Sequence, residues 1–344
     1  MSFLMMITIL LGTLVVIRLM SVSQMASVLS GEDEDVAQKR DNSMNSIGMV
    51  LFMVIGLALM VYMTIKYQPF MLPVAASVHG VETDFLLNIN FAVIGIVFFI
   101  TQIMLFWFVY KYQHDKNRRA LFYPDNHKLE LIWTVVPTIV LSALIVTGLR
   151  EWNKMTQGHP DDGMVVQVYG YQFNWMARYS GPDNKLGRSY YKLISDTNPL
   201  GIDYSDPASK DDIMTKSNEM HLPKGVPIQF VFNSRDVIHS AYFPHFRTQM
   251  NCVPGMDTRF YMEATITTKE MKGITKNEKF DYVLLCNKIC GVAHYNMKMT
   301  VVVDEPSEFS NWLKGEKKVI DAAPTAELEQ NISTASTVSH EVAL

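Results

Sequence analysis

The sequence predicts a membrane-embedded α-helical region followed by an all-β domain of Greek-key type. Three observations predict it. Apolar blocks with short polar joins fill residues 1 to about 150. From about residue 155 the chain turns mixed and polar, with short runs of strand-like alternation. Turn signals separate those runs at Ser180-Gly181-Pro182, Lys224-Gly225 and Val253-Pro254-Gly255.

The 344 residues are 49% hydrophobic and 19% charged, with a net charge of -4, so nothing points to a nucleic-acid partner. Three cysteines, Cys252, Cys286 and Cys290, are too few for a disulfide scaffold.

A helix needs about 20 residues to cross a hydrocarbon core of roughly 30 Å. Four blocks reach that length: Phe3 to about Met20, about Met44 to Ile65, Phe85 to Tyr110, and Leu131 to Leu149. Trp107, Trp133 and Trp152 lie near block ends, where interfacial aromatics anchor a span. The first block has no Lys or Arg ahead of it and Arg18 at its far end, so it reads as a retained helix rather than a cleaved signal peptide. The join after the third block carries Lys111, Lys116, Arg118, Arg119 and Lys128, and the join after the first carries Lys39 and Arg40. These joins therefore face the cytoplasm, and the β-domain emerges on the outer side. The acidic run Glu32-Asp33-Glu34-Asp35 counts little in that rule.

Glu130 opens the fourth block in His127-Lys128-Leu129-Glu130-Leu131-Ile132-Trp133. It reads either as an interfacial carboxylate that ends a helix or as a proton-accepting group at the mouth of a pathway.

In the second half, strand-like runs cover 165–175, 227–232, 258–267, 282–285 and 299–303, and in the second of them Ile228, Phe230 and Phe232 alternate with polar neighbours. Residues 183–215 read as a polar surface insertion, and the chain after Trp312 reads as a helical turn and a flexible tail. The organisation expected is two N-terminal spans over 1–68, a helical hairpin over 85–150, the β-domain over 160–312 and a tail over 313–344.

The chemistry concentrates in Cys286-Asn287-Lys288-Ile289-Cys290-Gly291-Val292-Ala293-His294-Tyr295-Asn296-Met297, with spacing C-x3-C-x3-H-x2-M. Thiolate, imidazole and thioether together favour copper. A mononuclear blue-copper site uses one Cys and two His, so the second thiol points to two bridged ions and to a further His. His239 and His245 are the candidates, His239 being read as the end of a strand, and spacing alone barely separates them. Simpler readings exist: a Cys286–Cys290 disulfide, a structural zinc site, or Met297 as core packing. Cys252 reads as packing, and His79, His114, His127, His159, His221 and His340 as surface residues.

These residues resemble the family of cytochrome c oxidase subunit II over about residues 85–312. The family's binuclear copper A loop, C-x-E-x-C-x3-H-x2-M, corresponds to Cys286 through Met297. Its D-V-x-H-S corresponds to Asp236-Val237-Ile238-His239-Ser240, which selects His239, and its I-P-G to Val253-Pro254-Gly255. Glu130-Leu131-Ile132-Trp133-Thr134 with Pro137 resembles E-T-I-W-T-x-x-P. The resemblance implies a cupredoxin-like domain. It implies that Cys286 and Cys290 bridge two coppers, that His239 and Met297 complete one, and that His294 with the backbone carbonyl of Lys288 completes the other. It also implies partners: a cytochrome c that donates electrons, soluble, membrane-anchored or part of a neighbouring complex, and subunits I and III. Subunit I carries the haems and copper B, reduces oxygen and pumps protons. Glu130 then matches the acid at a proton-path mouth. The resemblance points to a multi-pass protein in the lipid of a bacterial inner membrane, with its β-domain in the periplasm. The competing reading is a copper-binding membrane module for delivery or structure.

Three departures from the family pattern stand out. Lys288 replaces the Glu between the cysteines, and Asn251-Cys252 replaces D-x ahead of the Pro-Gly turn. Two acids are thereby missing where the family binds magnesium, an ion that prefers carboxylate oxygens, so the magnesium site is in doubt and the Lys288 ammonium is expected to replace part of its charge. The aromatic run G-H-Q-W-Y-W reads Gly170-Tyr171-Gln172-Phe173-Asn174-Trp175, so Phe173 stands where the family's electron-accepting Trp sits. Phe173 and Trp175 mark the expected region of electron uptake.

Overall fold

A computed structural model describes residues 2–29, 34–115, 117–157, 163–215 and 218–322. Lys116, His159, His340, part of the acidic run and the chain beyond 322 lie outside these residues. The chain divides into two compact units. One comprises Met1–Leu72 with Asn90–Val136, the other Pro73–Ile89 with Pro137–Leu344.

The long helices are α1 (Ser2–Leu29), α2 (Glu34–Met71), α3 (Val78–Lys111) and α4 (His127–Gln157). Among the described residues three stretches are long and apolar enough to cross a membrane: Lys39–Met71, Val78–Lys111 and His127–Gln157. Within α1 the apolar stretch is Leu10–Ser23, shorter than a span, so three of the four expected crossings are seen at full length. The helix ends that need partners find them locally. Arg118 donates from Nη1 to the Lys111 carbonyl (2.9 Å) and from Nη2 to the Gln113 carbonyl (2.5 Å), satisfying acceptors at the end of α3. Asn126 accepts the Leu129 N–H at 3.0 Å and so caps the start of α4.

The β-domain is a two-sheet sandwich. Its strands are β1 (Met164–Tyr171), β2 (Asn174–Tyr179), β3 (Ile213–Met214), β4 (Glu219–Pro223), β5 (Pro227–Ser234), β6 (His239–Phe243), β7 (Thr248–Cys252), β8 (Thr258–Glu263), β9 (Tyr282–Cys286), β10 (Lys298–Asp304) and β11 (Lys317–Lys318). One sheet runs β11-β3-β2-β1-β5-β8 and the other β4-β10-β9-β6-β7. The pairs β1–β5 and β4–β10 are parallel, and the remaining pairs are antiparallel. The alternation read in 227–232 places Ile228, Phe230 and Phe232 in the core, fully buried. Phe243 and Tyr282 of the facing sheet, with Phe246 in the turn after β6, join the same core. Each such buried side chain contributes about 1.5–3 kcal/mol.

Several expectations need correction. The run at 165–175 is a hairpin, β1 and β2, turning at Gln172-Phe173. His239 begins β6 instead of ending a strand, because β5 stops at Ser234 and the chain turns through Arg235–Ile238. The segment 183–215 is not merely surface: Leu200, Ile202 and Tyr204 are buried with Tyr169 and Val319 in a second small core. A buried ion pair, Arg178 with Asp212 at 3.3 Å, joins that segment to β2. The domain also runs past Trp312, through a further helix (Pro306–Gly315) to β11, which pairs with β3. His79 and His221 are not surface residues. His79 is buried edge-on against Phe260. His221 stacks on Trp312 at 4.1 Å, held between Asp304 (2.5 Å) and Glu219 (2.7 Å).

The segment ahead of the Phe85 block belongs to the sandwich unit. The Ala76 N–H donates to His245 O (2.8 Å), and its carbonyl accepts from the Thr265 N–H (2.9 Å). Ser77 Oγ donates to Phe246 O (2.7 Å), and Asp84 takes a two-pronged ion pair from Arg247, both contacts 2.8 Å.

Candidate metal centre

β9 ends at Cys286, β10 starts at Lys298, and the loop between them carries the expected donors. Its base is closed by the Cys286 N–H donating to Met297 O (3.1 Å) and the Asn287 N–H donating to Ser240 O (2.9 Å). Because β6 pairs with β9 in the register Ala241↔Cys286, His239 arrives beside the first cysteine. Inside the loop Gly291 takes φ +140°, and a Cβ there would lie 2.8 Å from the Phe173 ring, so only glycine fits. The Met297 N–H donates to His294 O at 3.2 Å, which brings the thioether round into the cage.

The donor atoms converge. The Sγ atoms of Cys286 and Cys290 are 3.8 Å apart, far beyond a disulfide bond, so both are free thiols. His239 Nδ1 lies 3.8 Å from Cys286 Sγ, and the Lys288 carbonyl oxygen lies 3.2 Å from the same sulfur. His294 Nδ1 and Met297 Sδ lie 3.6 Å and 3.7 Å from Cys290 Sγ. The ligand atoms of His239, Cys286 and Cys290 all fall within 4.8 Å of one another. The other candidate, His245, packs instead against Phe280 and Tyr282.

The electrostatics suit a cation. Burial pushes the Cys286 thiol up, but hydrogen bonds from His239, the Ser240 and Lys288 backbone and His294 overrule it and hold it at about 6. Burial and the Cys286 charge beside it push Cys290 up to about 11. One thiolate is thus ready at neutral pH, and the second is ionised when a cation replaces its proton. His239 is itself buried, which alone would lower its basicity. The Cys286 and Asp236 contacts outweigh that and raise it. Asp236 Oδ1 lies 2.8 Å from His239 Nε2. With Nε2–H given to Asp236, Nδ1 is the nitrogen that faces Cys286 and that a cation would take in place of its proton, the arrangement that orients a metal-binding His.

Asp236, Gln172 and Gly170 lie within the family-like motifs, but their residue types alone point to no role. Asp236 was recoverable from its position three residues before His239 in a turn. Trp175, read with Phe173 as a site of electron uptake, is 2% exposed and packs edge-on to His239 with ring centres 6.0 Å apart. It backs the imidazole from inside the core, so only Phe173 of the two reaches the surface. Lys288 is exposed, while its carbonyl faces Cys286. Ile289, Val292 and Tyr295 on the same loop stand 87%, 92% and 89% exposed, an apolar rim around the cage. Glu130 lies in the first turn of α4, exposed, 3.3 Å from His127.

Residues 64–150 match the family model for the cytochrome c oxidase subunit II transmembrane domain, and residues 164–305 match the model for its periplasmic domain. The chain belongs to the cytochrome c oxidase subunit II family. It is 34% identical over 234 residues to an alternative cytochrome c oxidase subunit 2 of Bradyrhizobium diazoefficiens, covering 68% of this chain and 80% of that one. It is 26% identical over 259 residues to cytochrome c oxidase subunit 2 of Cereibacter sphaeroides, covering 72% and 78%. A crystal structure of the periplasmic domain of subunit II from Bradyrhizobium japonicum aligns at 21% identity and a TM-score of 0.31, covering 46% of this chain and 96% of that one. As subunit II the chain is part of a terminal-oxidase complex, an oxidoreductase, with membrane helices and a cupredoxin-like domain outside the membrane.

Proposed function

We propose that the six donors hold a binuclear copper A centre, through which this subunit takes electrons from a cytochrome c and passes them to haem a in subunit I. The supporting observation is the pair of free thiols 3.8 Å apart, each with its own further donors. Cys286 and Cys290 would hold both ions, His239 and Met297 would complete the donor set of one, and His294 with the Lys288 carbonyl would complete that of the other. When bound, the copper pair supplies one-electron acceptance and release.

The protein's part is to keep the cage still. Two shared thiolates would spread the charge of one added electron, and the sheet that carries both ligand-bearing segments would limit their movement. Trp175 walls His239 from behind, and Asp236 fixes its tautomer.

Phe173, seated on Gly291 beside the cage, is the proposed contact for the donor, with aromatic surface but no indole N–H. The exposed apolar rim supports a face covered by partner proteins. We assign subunits I and III as the membrane partners, Glu130 as the mouth of a proton path, and α1 as a fourth span. The protein is assigned to the bacterial inner membrane with its copper domain in the periplasm. Lys288 in place of an acid argues against magnesium there. Electron paramagnetic resonance of the purified protein tests the centre. An unpaired electron shared equally over two coppers is expected, and a mononuclear signal, or none, overturns the reading.

A further inference from the structure

Gln172 makes contacts that reach both halves of the cage. It lies in the turn between β1 and β2, far along the chain from every donor. Its backbone N–H donates to Asp236 Oδ2 at 2.7 Å, and its side-chain Nε2 donates to the Cys290 carbonyl at 2.6 Å. The other oxygen of Asp236 lies 2.8 Å from His239 Nε2 and accepts the Val237 N–H at 2.7 Å. A continuous hydrogen-bonded path therefore runs from Cys290 through Gln172 and Asp236 to His239. It joins the β9–β10 loop to the β5–β6 turn by way of the β1–β2 hairpin.

The fit at this junction is close. A Cβ on residue 291 would lie 3.0 Å from Gln172 Nε2 and 2.8 Å from the Phe173 ring, so the hairpin turn rests directly on the Cys290–Gly291 backbone. Within the sheets, β6 and β9 meet at Ala241↔Cys286 and Tyr242↔Leu285, which secures the first cysteine. The second cysteine lies out in the loop, where no strand pairing reaches it. The Gln172 amide supplies the missing restraint with a neutral donor and adds no charge beside the thiolates.

We propose that Gln172 is a positioning residue that straps the Cys290 side of the cage to the His239 side. This rests on the two-copper reading and assigns it a third supporting segment. The strap keeps the second thiol in register with the first, so that loss of the side-chain amide loosens the metal without unfolding the sandwich. The backbone bond to Asp236 survives any substitution at 172 that leaves the turn intact, so side-chain variants isolate the Cys290 contact.

The test compares the assembled oxidase with its Gln172→Met and Gln172→Glu variants, which keep the reach of the side chain and lack the donor. Three properties are read: the copper resonance spectrum, the reduction potential of the centre, and the rate of copper loss to a chelator. Thermal unfolding serves as the control for the fold. Both variants are expected to unfold as the parent does and to start with two coppers. Both are expected to lose copper about tenfold faster, the low end for hydrogen-bond partners that orient ligands, with a changed spectrum and a shifted potential. Parent-like copper retention and spectrum in either variant overturns the proposal. A parent with the shared-electron signal and unaltered variants sinks the strap alone, whereas a parent without that signal sinks the two-copper reading and the strap with it.

Discussion

Replacing Gly170 by alanine measures how much slack surrounds His239. Gly170 lies in β1 with ordinary strand backbone, so the substitution changes only the space. The new Cβ would meet Trp175 Cζ3 at 3.0 Å, His239 Cδ2 at 3.1 Å and His239 Cγ at 3.2 Å. Comfortable carbon contacts lie at about 3.5–4.0 Å, so the rings must withdraw by roughly half an ångström. Neither has free room: Trp175 is 2% exposed and His239 0% exposed. Overpacking of this kind costs about 1–3 kcal/mol. For a domain of this size each kcal/mol lowers the melting temperature by about 2–4 °C. The imidazole is also the group whose Nδ1 faces Cys286, so its displacement reaches the metal. Circular dichroism through a thermal ramp on the full chain, with resonance spectroscopy of the copper-loaded protein, gives both readouts. A lower melting point together with an altered copper spectrum is expected. If neither moves, the pocket is looser than these distances state and the rigid-cage account is wrong.

Other outcomes follow from the same geometry. Asp236→Ala removes the acceptor for His239 Nε2 and should weaken copper affinity by about 10–100-fold in competition with a chelator; unchanged affinity would show that the sheet alone orients the ring. Copper binding requires both thiolates, so between about 6 and about 11 loading releases the Cys290 proton, and below about 6 the Cys286 proton as well. Affinity should therefore fall on acidification, more steeply below about 6, and a flat titration between about pH 5 and pH 8 contradicts this. Asp212→Ala leaves the buried Arg178 cation unpaired and should destabilise the domain by about 3–5 kcal/mol. The double change Arg178→Met with Asp212→Leu should cost much less, and equal unfolding midpoints for the two proteins would refute a buried-pair cost. Metal analysis of the intact oxidase should find no stoichiometric magnesium or manganese against residue 288, whereas Lys288→Ala should leave the copper in place, because only the backbone of that residue faces the cage.

Donor chemistry made much of the centre readable in one dimension. Thiol, imidazole and thioether are scarce residue types, and a loop between adjacent strands keeps them together in sequence, so C-x3-C-x3-H-x2-M announces itself. His239 was less legible. It lies 47 residues before Cys286, and only the resemblance set it apart from His245. Gln172 was illegible, because an amide is common and its partner Cys290 is 118 residues away. Polar type misled at His79 and His221, whose aromatic and ionic neighbours come from distant segments. The insertion misled because its apolar residues, Leu200, Ile202 and Tyr204, are too few to show a period. The helices were clear in kind from length and apolarity, and among the described residues the apolar stretch of α1, Leu10–Ser23, is shorter than the span expected of it.

The stitching of Ala76, Ser77 and Asp84 onto the sandwich sets an order of events during synthesis. Ser77 precedes its partner Phe246 by 169 residues, and Ala76 waits for His245 and Thr265. Two long helices and most of one sheet leave the ribosome in between. The sandwich therefore completes this side with a segment already synthesised when its own strands emerge. It reaches back for a segment made before its first strand, so the β-domain is complete only when the residues at the start of α3 dock on it.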